Sequence, residues 1–211
     1  MSSTNVVRIL IADDHMIVCE GLVSLFARQD GFCVVAQAHN GMEAMHLYRK
    51  HLPDVAVLDR RMPQMDGLEA LKAIRKEFPK ARVLLFSNSD AQEDIYQAIC
   101  AGAGSYLLKD TPIADIVQAV SVVAAGKTYL PALVSSLLAE RVRTLELTAR
   151  EKEILTYLVA GMSNAEIGVK LFIVEGTVKV HVANIMRKMD VSDRTQAVTA
   201  AIKRGLVELS P

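Results

Sequence analysis

The stretch VLDRRMPQMDG, residues 57–67, decides how the first part of this chain folds. It runs an apolar segment into Asp59 and follows it with two arginines and a proline. A charge at the end of a buried-looking strand is costly unless it is paired or stands at a site. What else the fold brings beside Asp59 therefore sets its meaning.

Working outward, the first 125 residues alternate two kinds of segment. VVRILIADD, CVVAQA, VAVLD, VLLFS and SYLLK are short and rich in aliphatic residues. They predict strands buried on both faces, which lose the polar alternation of half-exposed ones. Between them lie amphipathic segments at 17–29, 41–51, 68–78, 92–102 and 113–126. These carry the spacing of helices, and Pro112 at a first helical position and Gly126 past the last turn fit helix start and stop rules. Repeated β/α units with short connections predict a parallel sheet with right-handed crossovers and helices on both faces.

The residues expected at the carboxyl ends of those strands are Asp13, Asp14, Asp59, Ser87 and Lys109. In an open α/β sheet such ends converge on the crevice where ligands bind. Three carboxylates so placed repel one another unless a cation holds them. Oxygen ligands with room for water and phosphate oxygens suit Mg²⁺. Lys109 can meet a phosphoryl oxygen and Ser87 can donate to one. That set suits in-line phosphoryl transfer, with Asp59 as the nucleophile that becomes an aspartyl phosphate. A lone Asp after a strand is more often a turn or N-cap residue, and Asp66, in QMDGLEA, reads that way. For the whole set the bland reading would need separate strands to place suitable groups at one end by chance.

Residues 5–126 resemble the receiver domain of two-component response regulators: ILIADDH, VLDRRMPQMDG, LLFSNSD and GSYLLKD match its signature segments in order and spacing. The resemblance implies a flavodoxin-like, doubly wound, five-stranded parallel sheet. It implies Asp59 as phosphoacceptor, and Asp13, Asp14 and the Arg61 backbone carbonyl, with Asp59, as the Mg²⁺ site. It also implies Ser87 and Tyr106 as the switch pair and Lys109 as the family's invariant lysine. Two departures are small: Asn88 stands where a smaller residue is common, and Asp110 where many receivers have Pro.

After Gly126 the strand runs cease. PALVSSLLAERVR, 131–143, predicts a helical linker, and residues 147–206 read as all-helical, with segments at 148–160, 163–171, 175–189 and 193–205. Thr148 with Glu151 and Ser163 with Glu166 match the capping box, and Asp193 with Gln196 is a third start. In TVKVHVANIMRKM, Val178, Val182, Ile185 and Met189 form one apolar stripe. The opposite face carries Lys179, Val180, Ala183, Asn184, Arg187 and Lys188. A short helix, a turn and a longer basic helix is the layout of a helix-turn-helix, whose second helix enters the major groove. Charged outer faces are otherwise usually just solvated.

The segment 147–198 resembles the LuxR-type four-helix DNA-binding domain, and its pairing with a receiver is the NarL/FixJ arrangement. Domains are therefore expected at 1–126 (receiver), 127–146 (helical linker) and 147–211 (DNA-binding). By family position Lys179 and Val180 reach base edges or adjacent phosphates, and Thr177, Arg187, Lys188 and Arg194 serve the DNA backbone. Ala183 falls where some relatives place a contacting Lys. Val174 replaces the Ser that often caps the recognition helix, so a frayed helix start is expected. His181, beside the packed stripe, reads as structural.

A composition of 51% hydrophobic and 23% charged residues is ordinary for a globular protein and excludes a disordered or fibrous chain. No apolar run approaches a membrane span and no signal-peptide pattern opens the chain, so a cytoplasmic location without membrane contact is expected. Cys19, Cys33 and Cys100 show no CxxC spacing and are expected to be small buried residues. Residues 1–126 carry a net charge of −3 and residues 127–211 a net of +3, which permits a nucleic-acid partner for the second half. The resemblance implies a sensor histidine kinase and double-stranded DNA as partners, a homodimer when phosphorylated, and a transcription regulator rather than an enzyme. A haloacid-dehalogenase-type phosphatase would need a second acid two residues after Asp59, where Arg61 stands. A receiver that is chemically silent beside a constitutive DNA-binding module stays open at this point.

Overall fold

The computed structural model describes residues 6–143 and 147–207. The expected linker's last three positions, 144–146, and the chain ends at 1–5 and 208–211 lie outside the described residues. The chain divides into two compact units, with the main boundary between Ser135 and Ser136.

The first unit holds β1 (Val7–Ala12), α1 (Met16–Ala27), β2 (Phe32–Ala38), α2 (Gly41–His51), β3 (Val55–Asp59), α3 (Gly67–Glu77), β4 (Val83–Ser87), α4 (Gln92–Cys100), β5 (Ser105–Leu108) and α5 (Ile113–Ala124). All strand pairs are parallel, in the order β2-β1-β3-β4-β5. Side chains alternate between the faces of a strand. Ile9, Ile11, Val55, Val57, Leu84, Phe86 and Leu107 therefore share one face, where they pack with Leu22 and Phe26 of α1 and Ile116, Val120 and Val123 of α5. Leu10, Ala56, Leu58, Leu85 and Tyr106 have the opposite parity and are equally buried. Helices α2 and α3 contact strands of the same sheet.

Three expectations need correction. β2 is an edge strand whose residues are mostly half-exposed, since it has a neighbour on one side only. Cys33 on it is exposed, and so is Cys100 at the last residue of α4, leaving Cys19 as the buried cysteine. Pro112 is the N-cap of α5 rather than its first residue: ψ of 142° is extended, and the helix starts at Ile113.

Beyond the sheet, α6 (Ala132–Arg143) is the helix expected at 131–143. The second unit takes in residues 91–94 at the start of α4 and the greater part of α6, and is built mainly from α7 (Ala149–Val159), α8 (Asn164–Leu171), α9 (Glu175–Met189) and α10 (Arg194–Lys203). Both capping boxes form: Thr148 accepts from the Glu151 N–H, Ser163 from the Glu166 N–H, and each Glu returns a bond to its N-cap N–H. Asp193 caps α10 by accepting from the Gln196 N–H. The stripe Val178, Val182, Ile185 and Met189 is buried against Ile154, Leu155 and Leu158 of α7 and Ile167 of α8.

Candidate functional site

The first site is made by strand ends. Asp13 directly follows β1, Asp59 ends β3, Ser87 ends β4 and Lys109 directly follows β5. Register places them together: Asp59 lies opposite Phe86, and the Lys109 N–H donates to the Ser87 carbonyl at 2.8 Å. The Lys109 ammonium bridges the carboxylates, 2.7 Å from Asp13 Oδ2 and 3.1 Å from Asp59 Oδ2. Asp13 Oδ2 is fully buried, with the Lys109 ammonium as its ion-pair partner. Asp13 and Asp59 are almost wholly buried, whereas the Asp14 side chain keeps 35% of its surface.

Burial raises the Asp59 pKa above the ordinary carboxylate range, and the Asp13 charge adds to it. The Lys109 charge and a hydrogen bond from the Arg61 main-chain N–H oppose that rise. Burial works to lower the Lys109 pKa, but its bonds and charge contacts with Asp13 and Asp59 outweigh it and hold the ammonium form. Two acids and one base in a poorly solvated crevice leave a surplus of negative charge, which a divalent cation would offset. Ligand atoms of Asp13, Asp14, His15 and Asp59 all lie within 4.8 Å of one another, so this donor set fits such an ion.

The loop after Asp59 is held by its own sequence. Arg60 Nη1 meets Asp66 Oδ2 at 2.7 Å, and Asp66 forms a full capping box with Glu69 at the start of α3. The turn reading of Asp66 is what the structure shows. Gly67 packs onto the backbone of Asp59: a Cβ there would sit 2.0 Å from the Asp59 carbonyl oxygen. That close approach is why a glycine opens α3.

Ser87 and Tyr106 share the face of the sheet opposite Asp59, by strand parity. Ser87 Oγ accepts from the Ser89 N–H at 3.0 Å, and the Tyr106 hydroxyl donates to the Ser89 carbonyl at 2.8 Å. The residue after Asn88 thus links the two, with the Tyr106 ring fully buried. A cleft of about 450 Å³ opens over the site, lined by His15, Asp59, Arg61, Ser87, Asn88 and Ser89. A cleft of about 490 Å³ at the other end of the strands is lined by Arg75, Arg82 and other residues. There Arg75 donates to carbonyls that follow α3 and α4 and Arg82 to the carbonyl of the last residue of α5, a role common for cations at helix ends, and none of the acidic set lines this cleft.

In the second unit, α9 exposes Thr177, Lys179, Val180, Ala183 and Arg187 along one side, with Val180 at 60% exposure. Lys179 is ion-paired with Glu175 one turn earlier, at 2.8 Å. Lys188 and Arg194 stand differently. Lys188 Nζ lies 2.7 Å from Glu151 Oε2 of α7, the two side chains being 17% and 5% exposed. Arg194 donates to Asn164 Oδ1 at 3.2 Å and to the Met162 carbonyl, tying α10 to the segment around the start of α8. Both cations therefore hold helices together. Burial works to raise the Glu151 pKa, but bonds from Lys188 and Thr148 outweigh it and keep the carboxylate below its ordinary range. His181 is half-buried, as expected of a structural residue.

Val174 is the N-cap of α9 and makes no side-chain capping bond. The helix nonetheless starts at Glu175 as a regular element, so the expected fraying is not seen. The missing cap leaves first-turn N–H groups without a side-chain partner.

Two contributions escaped sequence reasoning. His15 stands against both acids, and its place directly after Asp13 and Asp14 was the signal. The Glu151–Lys188 pair spans 37 positions, and no local pattern marks it.

The family description of the response regulator receiver domain matches residues 9–121, and that of the luxR family of bacterial regulatory proteins matches residues 145–201. The transcriptional regulatory protein YhcZ of Bacillus subtilis (strain 168) is 38% identical over 94% of this chain and 97% of its own length. The probable transcriptional regulatory protein NarL of Mycobacterium tuberculosis (strain ATCC 25618 / H37Rv) is 39% identical over 96% of each chain. The crystal structure of the response regulator ChrA, of a heme-sensing two-component system, is 37% identical, covering 96% of this chain and 99% of that one at a TM-score of 0.57. With its strand-end acids, lysine and serine in place and its two units matched in order, the chain belongs to the two-component response regulators, pairing a receiver with a luxR-family DNA-binding domain in a transcriptional regulator.

Proposed function

We propose that Asp59 accepts a phosphoryl group from a sensor histidine kinase and that this modification controls DNA binding. In the transfer, an Asp59 oxygen forms the new bond to phosphorus as the bond to the donor's nitrogen breaks. The observation that carries the reading is Lys109, poised 3.1 Å from Asp59 and 2.7 Å from Asp13 beneath an open cleft. An ammonium there neutralises a phosphoryl oxygen, and the Ser87 hydroxyl can donate to another. Asp13, Asp14, Asp59 and the Arg61 backbone carbonyl would hold a Mg²⁺ ion, which supplies charge neutralisation between carboxylates and phosphate.

A phosphoryl group adds nearly two negative charges locally. Ser87 would turn to donate to it, releasing the Ser89 N–H, and Tyr106 follows through its bond to the Ser89 carbonyl. That two-position element is what phosphorylation biases. The receiver is taken as residues 1–126, the helical linker as 127–146 and the DNA-binding domain as 147–211.

On double-stranded DNA, α9 enters the major groove with Lys179 and Val180 toward base edges. Thr177 and Arg187 serve phosphates, Ala183 leaves space where a longer side chain could contact, and Lys188 and Arg194 act by fixing α9 and α10. A phosphorylated homodimer sums contacts over two half-sites. Among the described residues no helix is long and apolar enough to cross a membrane, and a cytoplasmic location suits a DNA-bound regulator.

The test is DNA affinity at one stated salt concentration, with and without a small-molecule phosphodonor, for the wild type and Asp59→Asn. Tighter binding on phosphorylation in the wild type alone supports the reading. A full response in Asp59→Asn sinks it, and equal affinity throughout leaves the silent-receiver alternative standing.

A further inference from the structure

The geometry points to His15 as a nitrogen ligand to the ion held by Asp13, Asp14 and Asp59, a feature that favours a divalent transition ion such as Mn²⁺ over Mg²⁺. This rests on the reading of the acidic crevice as a divalent-ion site and adds a residue to it.

His15 Nδ1 lies 2.9 Å from Asp14 Oδ1 and 3.2 Å from Asp13 Oδ1. Ligands about 2.1 Å from an octahedral ion lie about 3.0 Å apart along each edge of the octahedron. The two measured separations match that edge. The ligand atoms of all four groups fall within 4.8 Å of one another, wider than the roughly 4.2 Å that separates opposite ligands in such a shell, so an ion would draw them inward. The same separations are those of a hydrogen-bonded ion pair, and a bound ion distinguishes the two.

The main chain that carries the imidazole is held beside the acids. The His15 main-chain N–H donates to Asp13 Oδ1 at 2.9 Å, which fixes the turn at the start of α1. The ring itself keeps 64% of its surface and lines the open cleft beside Asp59. Coordination uses the Nδ1 lone pair, so the ring's single proton resides on Nε2. Imidazole nitrogen binds transition ions well, whereas Mg²⁺ prefers oxygen. A carboxylate cluster with one such nitrogen should therefore discriminate between the two. The plainer account makes His15 an ion-pair partner of the two acids, with no part in binding a metal.

Pulsed electron paramagnetic resonance of Mn²⁺ bound to the full chain separates these accounts, because coordinated imidazole nitrogen modulates the signal. The comparison variant is His15→Asn, which places a favourable residue at the N-cap of α1, where His15 makes no side-chain capping bond. The expected result is nitrogen modulation in the wild type that disappears in His15→Asn. With it, the ratio of Mn²⁺ to Mg²⁺ affinity, from titration calorimetry, falls about tenfold. Mn²⁺ binding at Asp59 without nitrogen modulation, or an unchanged affinity ratio in His15→Asn, overturns the assignment and leaves the phosphoacceptor reading intact. Failure of either ion to bind the wild type more tightly than Asp59→Asn overturns the ion-site reading together with it.

Discussion

Removing the Lys188 charge tests whether that residue stabilises the DNA-binding domain or touches DNA. Lys188→Met keeps the aliphatic stem and deletes the ammonium that lies 2.7 Å from the Glu151 carboxylate. Breaking a fully buried pair from one side costs about 3–5 kcal/mol, and an exposed pair is worth about 0–1 kcal/mol. Here Glu151 is buried, Lys188 keeps 17% of its surface, and the Thr148 N–H still donates to the orphaned carboxylate at 2.7 Å. The expected loss therefore falls between those limits, at about 2 kcal/mol. For a unit of this size that lowers Tm by roughly 8–16 °C. Calorimetric melting of the full chain reads it, in the transition that Glu151→Gln also moves. The Glu151 pKa is lowered in the fold, so the stability it contributes is present above the ordinary carboxylate pKa and lost as pH falls through the folded value. The gap between wild type and variant should accordingly be full at neutral pH and close below about pH 4.3. An unchanged Tm, with the slope of log affinity against log salt reduced by about 0.9, would make Lys188 a phosphate contact and refute the reasoning.

Other outcomes follow from single observations. Asp59→Asn should raise the Tm of the unphosphorylated receiver at neutral pH: its pKa is raised by burial, so ionisation costs stability, and the gain should vanish below the ordinary carboxylate pKa. No gain at neutral pH would contradict that. Val174→Ser should supply the missing cap on α9, worth about 0.5–2 kcal/mol, and tighten DNA binding severalfold. Unchanged affinity counts against a penalty at that helix start. Gly67→Ala would force a Cβ to within 2.0 Å of the Asp59 carbonyl, so α3 must shift and phosphodonor labelling of Asp59 should fall sharply. Labelling at the wild-type rate would show that α3 does not position Asp59.

Reading the chain in one dimension went far because most of its signals are short-ranged. Buried parallel strands declare themselves by unbroken aliphatic runs, and VAVLD shows both the strand and the acid at its end. Capping boxes at Thr148 and Ser163 are completed within three residues, so propensity and spacing suffice. The stripe of α9 is visible because helical period depends on backbone geometry alone.

What was illegible is what depends on neighbours in space. CVVAQA has the composition of a central strand, yet strand order leaves β2 at an edge and Cys33 in solvent. Lys188 and Arg194 look like DNA-facing cations in sequence, and only the crossing of α9 over α7 and the docking of α10 near the start of α8 give them internal partners.

By itself, then, the sequence determined the alternating β/α architecture, the helical second part and the group of strand-end residues, because each follows from local period, capping or strand termination. Only tertiary structure decided that Lys109 reaches Asp13 and Asp59 together, that Tyr106 holds the Ser89 carbonyl, and that His15 faces both acids. The physical reason is range: periodicity acts over a few residues, whereas charge and hydrogen bonding act across whatever distance the packed chain leaves between two groups.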